Sequence, residues 1–85
     1  MANIAELNLT PTQLAALAKI SDEGEVTQNR LGRLTAMDPA TMQGVIKRLS
    51  DRGYIDRHPD PHDRRRTVLT LTEAGRALLQ RAVDR

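Results

Sequence analysis

The sequence contains no cysteine, no tryptophan and no phenylalanine, and its one aromatic residue is Tyr54. The lack of cysteine excludes a disulfide framework, a thiolate zinc site, an iron–sulfur cluster and a thiol nucleophile. A single aromatic ring does not make the stacking platform on which single-stranded nucleic acids bind. No apolar run approaches the length that spans a bilayer, and the first residues are unlike a signal peptide. The sequence therefore predicts a cytoplasmic protein with no membrane segment.

Large apolar side chains are also scarce. The 85 residues form one small domain at most, and 22 of their apolar side chains are larger than alanine once Met1 is set aside. A core of that size is only marginally stable. We therefore expect an oligomeric partner or flanking segments to contribute to stability.

Positive charge is unevenly distributed along the chain. Residues 1–25 hold one basic and four acidic side chains, whereas residues 26–85 hold twelve basic and seven acidic ones. Eleven of the thirteen basic residues are arginine, which pairs bidentately with phosphates and with guanine edges. A charge run is often only a solvated surface, but its segregation and its arginine bias favour a polyanionic partner.

Three segments begin with the sequence pattern of a capped helix. In each, a threonine or aspartate that can cap the helix stands directly before the first helical residue. The three capping residues are Thr10, Thr27 and Asp38, and proline follows the first and the last of them. We therefore predict three helices, of which the last two are joined by a short turn at residues 35–37.

The third of these helices, predicted over residues 38–52, has two different faces. Its apolar residues are spaced i, i+3, i+4 and i+7, which places them on one stripe toward the core: Met42, Val45, Ile46 and Leu49. The other side has short side chains near its start and basic ones further on: Ala40, Thr41, Gln43, Gly44, Lys47 and Arg48. In isolation such a face is a solvated surface as often as a binding surface.

After Gly53 the apolar pattern changes from helical to alternating. Residues 54–58 and 67–71 predict two antiparallel strands. Their connection, residues 59–66, is longer than a usual hairpin loop and ends in three consecutive arginines. Ordering a loop of this length and charge costs free energy. An ordered loop here therefore favours a contact with a partner.

We therefore predict a mainly α fold with a small β-hairpin, of the α+β class. Its architecture is a winged helix-turn-helix, with a three-helix core, a wing and a C-terminal helix that Thr70 or Thr72 caps. The predicted divisions are an N-terminal arm (residues 1–8), the winged helix-turn-helix (residues 9–72) and the start of a C-terminal helix (residues 73–85), which the family resemblance described below implies to be of the dimerisation type.

This order of elements is typical of proteins that bind duplex DNA. The major groove is about 12 Å wide and admits one helix, here residues 38–52. Thr41 and Gln43 can hydrogen-bond base edges, and Lys47 and Arg48 can reach bases or phosphates. An arginine at the wing, residues 57–68, suits the minor groove, where negative potential concentrates.

The free N–H groups at the starts of the first two helices suit phosphate. These helix starts are capped by Thr10 and Thr27, and backbone N–H groups in that position bind anions. We therefore expect both residues at the DNA backbone.

Three stretches of the sequence also carry a family resemblance: residues 9–17, residues 37–55 and, most specifically, residues 57–75. The last contains the run Asp60-Pro61-His62-Asp63-Arg64-Arg65-Arg66. Together they resemble the MarR family of bacterial winged-helix transcriptional regulators over residues 9–83. The resemblance implies a sequence-specific duplex DNA-binding regulator, acting as a repressor.

The resemblance also assigns roles to single residues. The positions that read the major groove in the family fall on Pro39, Ala40, Thr41, Gln43 and Gly44. The positions of common phosphate contacts fall on Thr27, Gln28 and Asn29. The wing contacts fall on Arg64, Arg65 and Arg66, with Arg65 entering the minor groove and Asp63 bracing the wing.

The partner that the resemblance implies is double-stranded DNA with an inverted-repeat operator, read by a homodimer. Members of the family dimerise through helices at both ends of the DNA-binding lobe, and this sequence contains little of those helices. The family's small-molecule pocket lies between the dimerisation helices and the lobe. We therefore expect either an isolated DNA-binding lobe or an unusually short member of the family, and the oligomeric state and any effector stay open. No cofactor is predicted.

Two alternatives remain beside this reading. A winged helix can serve as a protein-interaction module, here with a basic face for an acidic partner. A metal site at His58 and His62 is disfavoured, because Pro59 and Pro61 prevent a helical alignment and no further histidine or cysteine is present. An enzyme is not predicted, since the sequence shows no nucleophile–base arrangement and no phosphate loop.

Overall fold

The computed structural model describes residues 9–83, with Val83 described by its backbone only. Within this range the helices and strands follow in the order α1 (Pro11–Glu23), β1 (Glu25–Thr27), α2 (Gln28–Thr35), α3 (Pro39–Asp51), β2 (Ile55–Pro59), β3 (Thr67–Leu71) and α4 (Glu73–Val83). The predicted winged helix-turn-helix is confirmed, with α2 and α3 as the helix pair and β2 and β3 as the wing. The predicted N-terminal arm (residues 1–8) and residues 84–85 lie outside the described residues.

The predicted helix caps are confirmed. At α1 the N–H of Gln13 donates to Oγ1 of Thr10 (3.1 Å) and the N–H of Thr10 donates to Oε1 of Gln13 (3.2 Å). At α2 the N–H of Arg30 donates to Oγ1 of Thr27 (3.2 Å), and Asp38 caps α3 with its carboxylate. Each cap satisfies N–H groups that the first turn of a helix leaves without a partner.

The core draws apolar side chains from every described helix and strand. The predicted stripe of α3 is buried, from Met42 to Leu49. The largest fully buried side chains are Leu17, Ile20, Leu31, Ile46, Leu49 and Leu69. Burial of a leucine or isoleucine stabilises the fold by about 1.5–3 kcal/mol. The rotation of α3 about its own axis is therefore fixed by this stripe.

The wing belongs to a three-stranded antiparallel sheet in the order β1-β3-β2. Strand β1 was not predicted. In the structure Val26 lies opposite Leu69 and is buried. Three residues are too few to show an alternating pattern, and the partner strand lies about forty residues further along the chain.

The first wing strand begins one residue later than predicted and includes Pro59. Tyr54 was expected in the strand, but its N–H donates to the carbonyl of Leu49 (3.0 Å) at the end of α3. Pro59 is accommodated because β2 is an edge strand, where a missing N–H costs no ladder bond.

The turn between α2 and α3 contains a residue in the left-handed region. Ala36 has φ 56° and ψ 32°, and the N–H of Met37 donates to the carbonyl of Gly32 (3.1 Å). A left-handed alanine costs about 1–2 kcal/mol of backbone strain. The surrounding helices hold Ala36 in this conformation, which turns the chain into α3.

The start of α4 is packed against the backbone between α3 and β2. Thr72 caps α4, since the N–H of Gly75 donates to its Oγ1 (3.0 Å), and this hydroxyl donates to the carbonyl of Gly53 (2.7 Å). The N–H of Thr72 donates to the carbonyl of Tyr54 (3.1 Å). A Cβ at Gly75 would overlap that same carbonyl oxygen. Only glycine fits this position.

Two Gly→Ala substitutions in helices should have opposite effects on stability. Gly75→Ala should lower the free energy of unfolding by about 2–3 kcal/mol, because the new methyl collides with backbone. Gly44→Ala, with no atom within 4 Å of its Cβ, should raise it by about 0.5–1 kcal/mol. Urea denaturation followed by circular dichroism measures both. A Gly75→Ala variant of unchanged stability would contradict the packing of α4 on Tyr54.

Candidate nucleic-acid interface

The polar side of α3 is fully available to a partner. All seven residues that were predicted to contact DNA from this helix are exposed: Pro39, Ala40, Thr41, Gln43, Gly44, Lys47 and Arg48. The buried stripe occupies the opposite side of the helix, so that the fold uses none of these seven in its core.

Gly44 lies in the middle of this exposed face. A glycine inside a helix costs roughly 0.5–1 kcal/mol relative to alanine. At position 75 glycine is required because a Cβ would overlap the backbone of Tyr54. A Cβ at Gly44 would meet open space. No contact among the described residues therefore requires glycine at position 44, and its small size is useful only toward an external surface.

Thr41 is held by the residue that caps the helix. Its N–H donates to Oδ1 of Asp38 (2.8 Å) and its Oγ1 donates to Oδ2 of the same carboxylate (2.9 Å). These two bonds, the backbone one first, hold the pKa of the Asp38 carboxyl below its ordinary value. Asp38 is consequently ionised at neutral pH, and Thr41 has a fixed side-chain orientation at the start of α3.

The basic end of α3 is less constrained. Nζ of Lys47 lies 2.9 Å from Oδ2 of Asp51, one turn further on, and both side chains are more than half exposed. An exposed pair at this spacing contributes only a few tenths of a kcal/mol. Lys47 can therefore exchange this partner for a phosphate at little cost.

Arg48 lies beside the start of α1. A cleft of about 450 Å³ is lined by Thr10, Gln13, Arg48, Asp51 and Arg52. The structure thus brings the predicted phosphate contact Thr10 next to a predicted basic residue of α3. Arg52 also places its guanidinium over the ring of Tyr54, 5.0 Å from the centroid.

The tip of the wing is ordered by polar contacts around Asp63. Nε of Arg65 lies 3.1 Å from Oδ1 and Nη2 lies 3.3 Å from Oδ2, and the N–H of Arg65 also donates to Oδ1 (3.1 Å). Nε of Arg66 is 3.7 Å from Oδ2. These contacts, the Arg65 side chain first, hold the pKa of the Asp63 carboxyl below its ordinary value. The carboxylate is therefore charged throughout the neutral range.

The side chain of Arg65 remains exposed to 90% although it is paired. The loop beneath it is closed by backbone bonds from Asp60 N–H to the Arg66 carbonyl (3.0 Å) and from Arg66 N–H to the Asp63 carbonyl (2.9 Å). A long cationic side chain is thus directed outward from a folded loop.

The start of α2 lies between α3 and the wing. Gln28 and Asn29 share a cleft of about 510 Å³ with Pro39 and Gln43 of α3. Gln28 also lines a second cleft, of about 290 Å³, whose other lining residues are Arg57, His58, Pro59, Arg64, Arg66 and Thr67. Gln28 therefore joins the cleft beside α3 to the cleft beside the wing.

Arg57 completes this second cleft and was not singled out as a site residue. The alternation of the strand assigns it to the sheet face of Leu69, its Cα partner, which is a core residue. Arg57 is nevertheless exposed, because it lies beyond the core near the start of α2. Its proximity to Gln28 depends on tertiary packing, which the sequence pattern does not show.

Two other kinds of site are absent from residues 9–83. No group of three or more histidine, cysteine, aspartate or glutamate side chains is arranged to hold a metal ion. No helix in this part of the chain has both the length and the apolar character needed to cross a membrane.

Comparison with known proteins agrees with this fold. The sequence model of the MarR family matches residues 7–66. The HTH-type transcriptional repressor NicR of Pseudomonas putida is 42% identical over 71 residues, which are 84% of this chain and 45% of NicR. This chain spans about half the length of the curated relatives that it matches.

Solved structures show the same arrangement. A probable transcriptional regulator from Pseudomonas aeruginosa has 53% identity and a TM-score of 0.85, over 88% of this chain and 56% of that one. A MarR variant from E. coli, crystallised with operator DNA, has 25% identity and a TM-score of 0.87, over 95% of this chain and 60% of that one. With the family model matched over most of its residues, this chain belongs to the MarR family of winged helix-turn-helix transcriptional regulators, a family of regulators and not of enzymes.

Proposed function

We propose that this chain binds specific sequences of double-stranded DNA and represses transcription by occupying an operator. The recognition helix, residues 38–52, lies in the major groove, and the wing, residues 57–68, reaches the adjacent minor groove. The observation that carries this proposal is the state of Arg65, which is fixed by both carboxylate oxygens of Asp63 and still exposed. The Arg65 side chain helps to order the tip of the wing through Asp63 and at the same time presents a positive charge to solvent.

The exposed side of α3 fits the requirements of the major groove. Base edges are contacted by the first residues of a recognition helix, which must approach the DNA closely. Ala40 and Gly44 are small and exposed there, and Thr41 and Gln43 carry hydrogen-bonding groups. Basic residues follow toward the end of the helix, at the distance where the sugar–phosphate backbone borders the groove.

Two clefts, one between α2 and the wing and one between α1 and the end of α3, suit the phosphates that flank the groove. The cleft between α2 and the wing is lined by three arginines, Arg57, Arg64 and Arg66, together with Gln28 at the start of α2. The other cleft joins Arg48 to the start of α1 at Thr10. Guanidinium groups and free helix N–H groups are the usual donors to phosphate oxygens.

Two relatives support the proposed biological role. NicR is named a transcriptional repressor, and the E. coli MarR variant was crystallised in complex with operator DNA. We propose that α4 belongs to the start of a dimerisation helix, which the sequence predicts over residues 73–85, and that a homodimer reads an inverted repeat. Half-sites about one helical turn apart follow from such two-fold symmetry.

The first test is a duplex titration at two salt concentrations. Fluorescence anisotropy of a labelled random-sequence duplex should show binding that weakens steeply with salt, because bound phosphates release counterions. An inverted repeat obtained by selection should bind more tightly than the random duplex. Absence of binding even in low salt would favour the alternative, a protein-interaction module for an acidic partner.

Replacing the wing arginine should weaken this binding measurably. Arg65→Ala should cost about 1–3 kcal/mol of binding free energy and lower the salt slope by about one unit if the contact is phosphate-like. The matched control is Lys19→Ala, which removes one exposed positive charge from the second half of α1, within the described residues. Equal affinities for these two variants would remove the wing from the mechanism.

Replacing Asp63, which holds Arg65 at the tip of the wing, should lower the affinity for DNA although it makes the chain more positive. Asp63→Asn makes the chain more positive, which by itself strengthens binding to a polyanion. We expect the affinity to fall instead by about threefold to tenfold, because Arg65 must then be ordered when DNA binds. Asp56→Asn, with the same charge change on exposed β2, serves as the control. If both variants bind more tightly than the unsubstituted chain, Arg65 acts through charge alone.

A further inference from the structure

The hydroxyl proton of Thr41 has a defined direction. Oγ1 of Thr41 and Oδ2 of Asp38 are 2.9 Å apart, so that one proton lies between them. The pKa of Asp38 is lowered by its bonds to Thr41, and the carboxylate therefore carries no proton at neutral pH. An ionised carboxylate only accepts hydrogen bonds. The shared proton is consequently that of the Thr41 hydroxyl, and it points toward Asp38.

This geometry determines what Thr41 can offer to a partner. A hydroxyl has one proton and two lone pairs, so that Oγ1 can only accept a hydrogen bond from any third group. The same side chain carries a methyl group. Thr41 is exposed and is the third residue of α3, in the turn from which recognition helices contact base edges.

The four base-pair edges of the major groove differ in their fit to this combination. An A·T pair presents the N6 amino group of adenine as a donor and the thymine methyl group as an apolar contact. A G·C pair presents the N4 amino group of cytosine but no methyl group, and guanine presents two acceptors. An acceptor joined to a methyl group therefore complements A·T, and Thr41 has no proton left for guanine.

We propose that Thr41 selects an A·T base pair, accepting a hydrogen bond from adenine N6 and packing its methyl group against that of thymine. Asp38 is a positioning residue that sets the direction of this hydrogen bond. The proposal deepens the proposed function and rests on the docking of α3 in the major groove.

The decisive variant is Asp38→Asn. Asparagine caps helices as well as aspartate does, and its carbonyl oxygen must stay on the N–H of Thr41. Its amide nitrogen then takes the place of Oδ2 and donates to Oγ1. The Thr41 hydroxyl proton is thereby released toward the DNA, and Thr41 can donate to guanine.

Selection from a random duplex library, followed by sequencing, measures this change. The 85-residue chain should prefer A·T over G·C by about fivefold or more at one position of the site. Asp38→Asn should lose this preference or change it to G·C at that position, and keep the preferences elsewhere. Thr41→Val should weaken the same preference. The control is Thr70→Val, on the sheet away from α3, which should leave the selected sequence unchanged.

Base analogues separate the two halves of the proposed contact. The analogue 2-aminopurine pairs with thymine but lacks the 6-amino group, so it should weaken binding by the unsubstituted chain and not by Thr41→Val. Deoxyuridine lacks the thymine methyl group, so it should weaken binding by the unsubstituted chain and by Thr41→Val, and not by Thr41→Ser. Equilibrium titration of each duplex with each variant completes a double-mutant cycle.

Four outcomes would overturn the inference. The first is a preference for G·C at the position that Thr41→Val alters. The second is an identical selected sequence for the unsubstituted chain and for Asp38→Asn. The third is a selected sequence that Thr41→Val leaves unaltered. The last, duplex binding without any sequence preference, would overturn the role of Thr41 and leave duplex binding standing. Failure to bind any duplex in low salt would instead overturn the proposed function itself.

Discussion

The burial of one apolar stripe on α3 is the constraint on which the rest of the molecule depends. Met42, Val45, Ile46 and Leu49 are inserted into a core that every other described element also lines. Because the stripe fixes the rotation of the helix, it also fixes which side chains point outward. A small core can therefore present a rigid polar surface, since the same residues that stabilise the fold orient the face that meets the partner.

The wing is ordered in a different way. Its tip has no apolar cluster and instead depends on Asp60 and Asp63, whose oxygens accept bonds from the backbone and side chains of the loop. Polar contacts at an exposed site contribute little stability individually. They do define a direction, because both oxygens of Asp63 hold the Arg65 guanidinium without withdrawing it from solvent. Core packing thus orients the exposed side chains of α3, whereas hydrogen bonds orient those of the wing.

Features that depend on near neighbours in the chain could be predicted from the sequence. The caps at Thr10 and Asp38 connect residues three positions apart, and the stripe of α3 follows from helical period alone. Strand β1 could not be predicted, because the pairing of Val26 with a strand about forty residues away leaves no local signal. Arg57 was missed for the same reason, since only the packing of α2 beside the wing makes it part of the surface. The DNA contacts themselves stay predictions.

The junction at Tyr54 has a consequence for the geometry of an assembly. Its N–H is bonded to the end of α3, its carbonyl to the start of α4, and the contact with Gly75 leaves no space between them. The angle between α4 and the exposed face of α3 is therefore set by this backbone contact together with the buried side chains of α4, Leu78 and Ala82. In a two-fold assembly joined through α4, the separation of the two copies of α3 would follow from this angle. The spacing of the sequences that such an assembly can read would then depend on the close approach of Gly75 to the Tyr54 carbonyl, in addition to the residues that contact DNA.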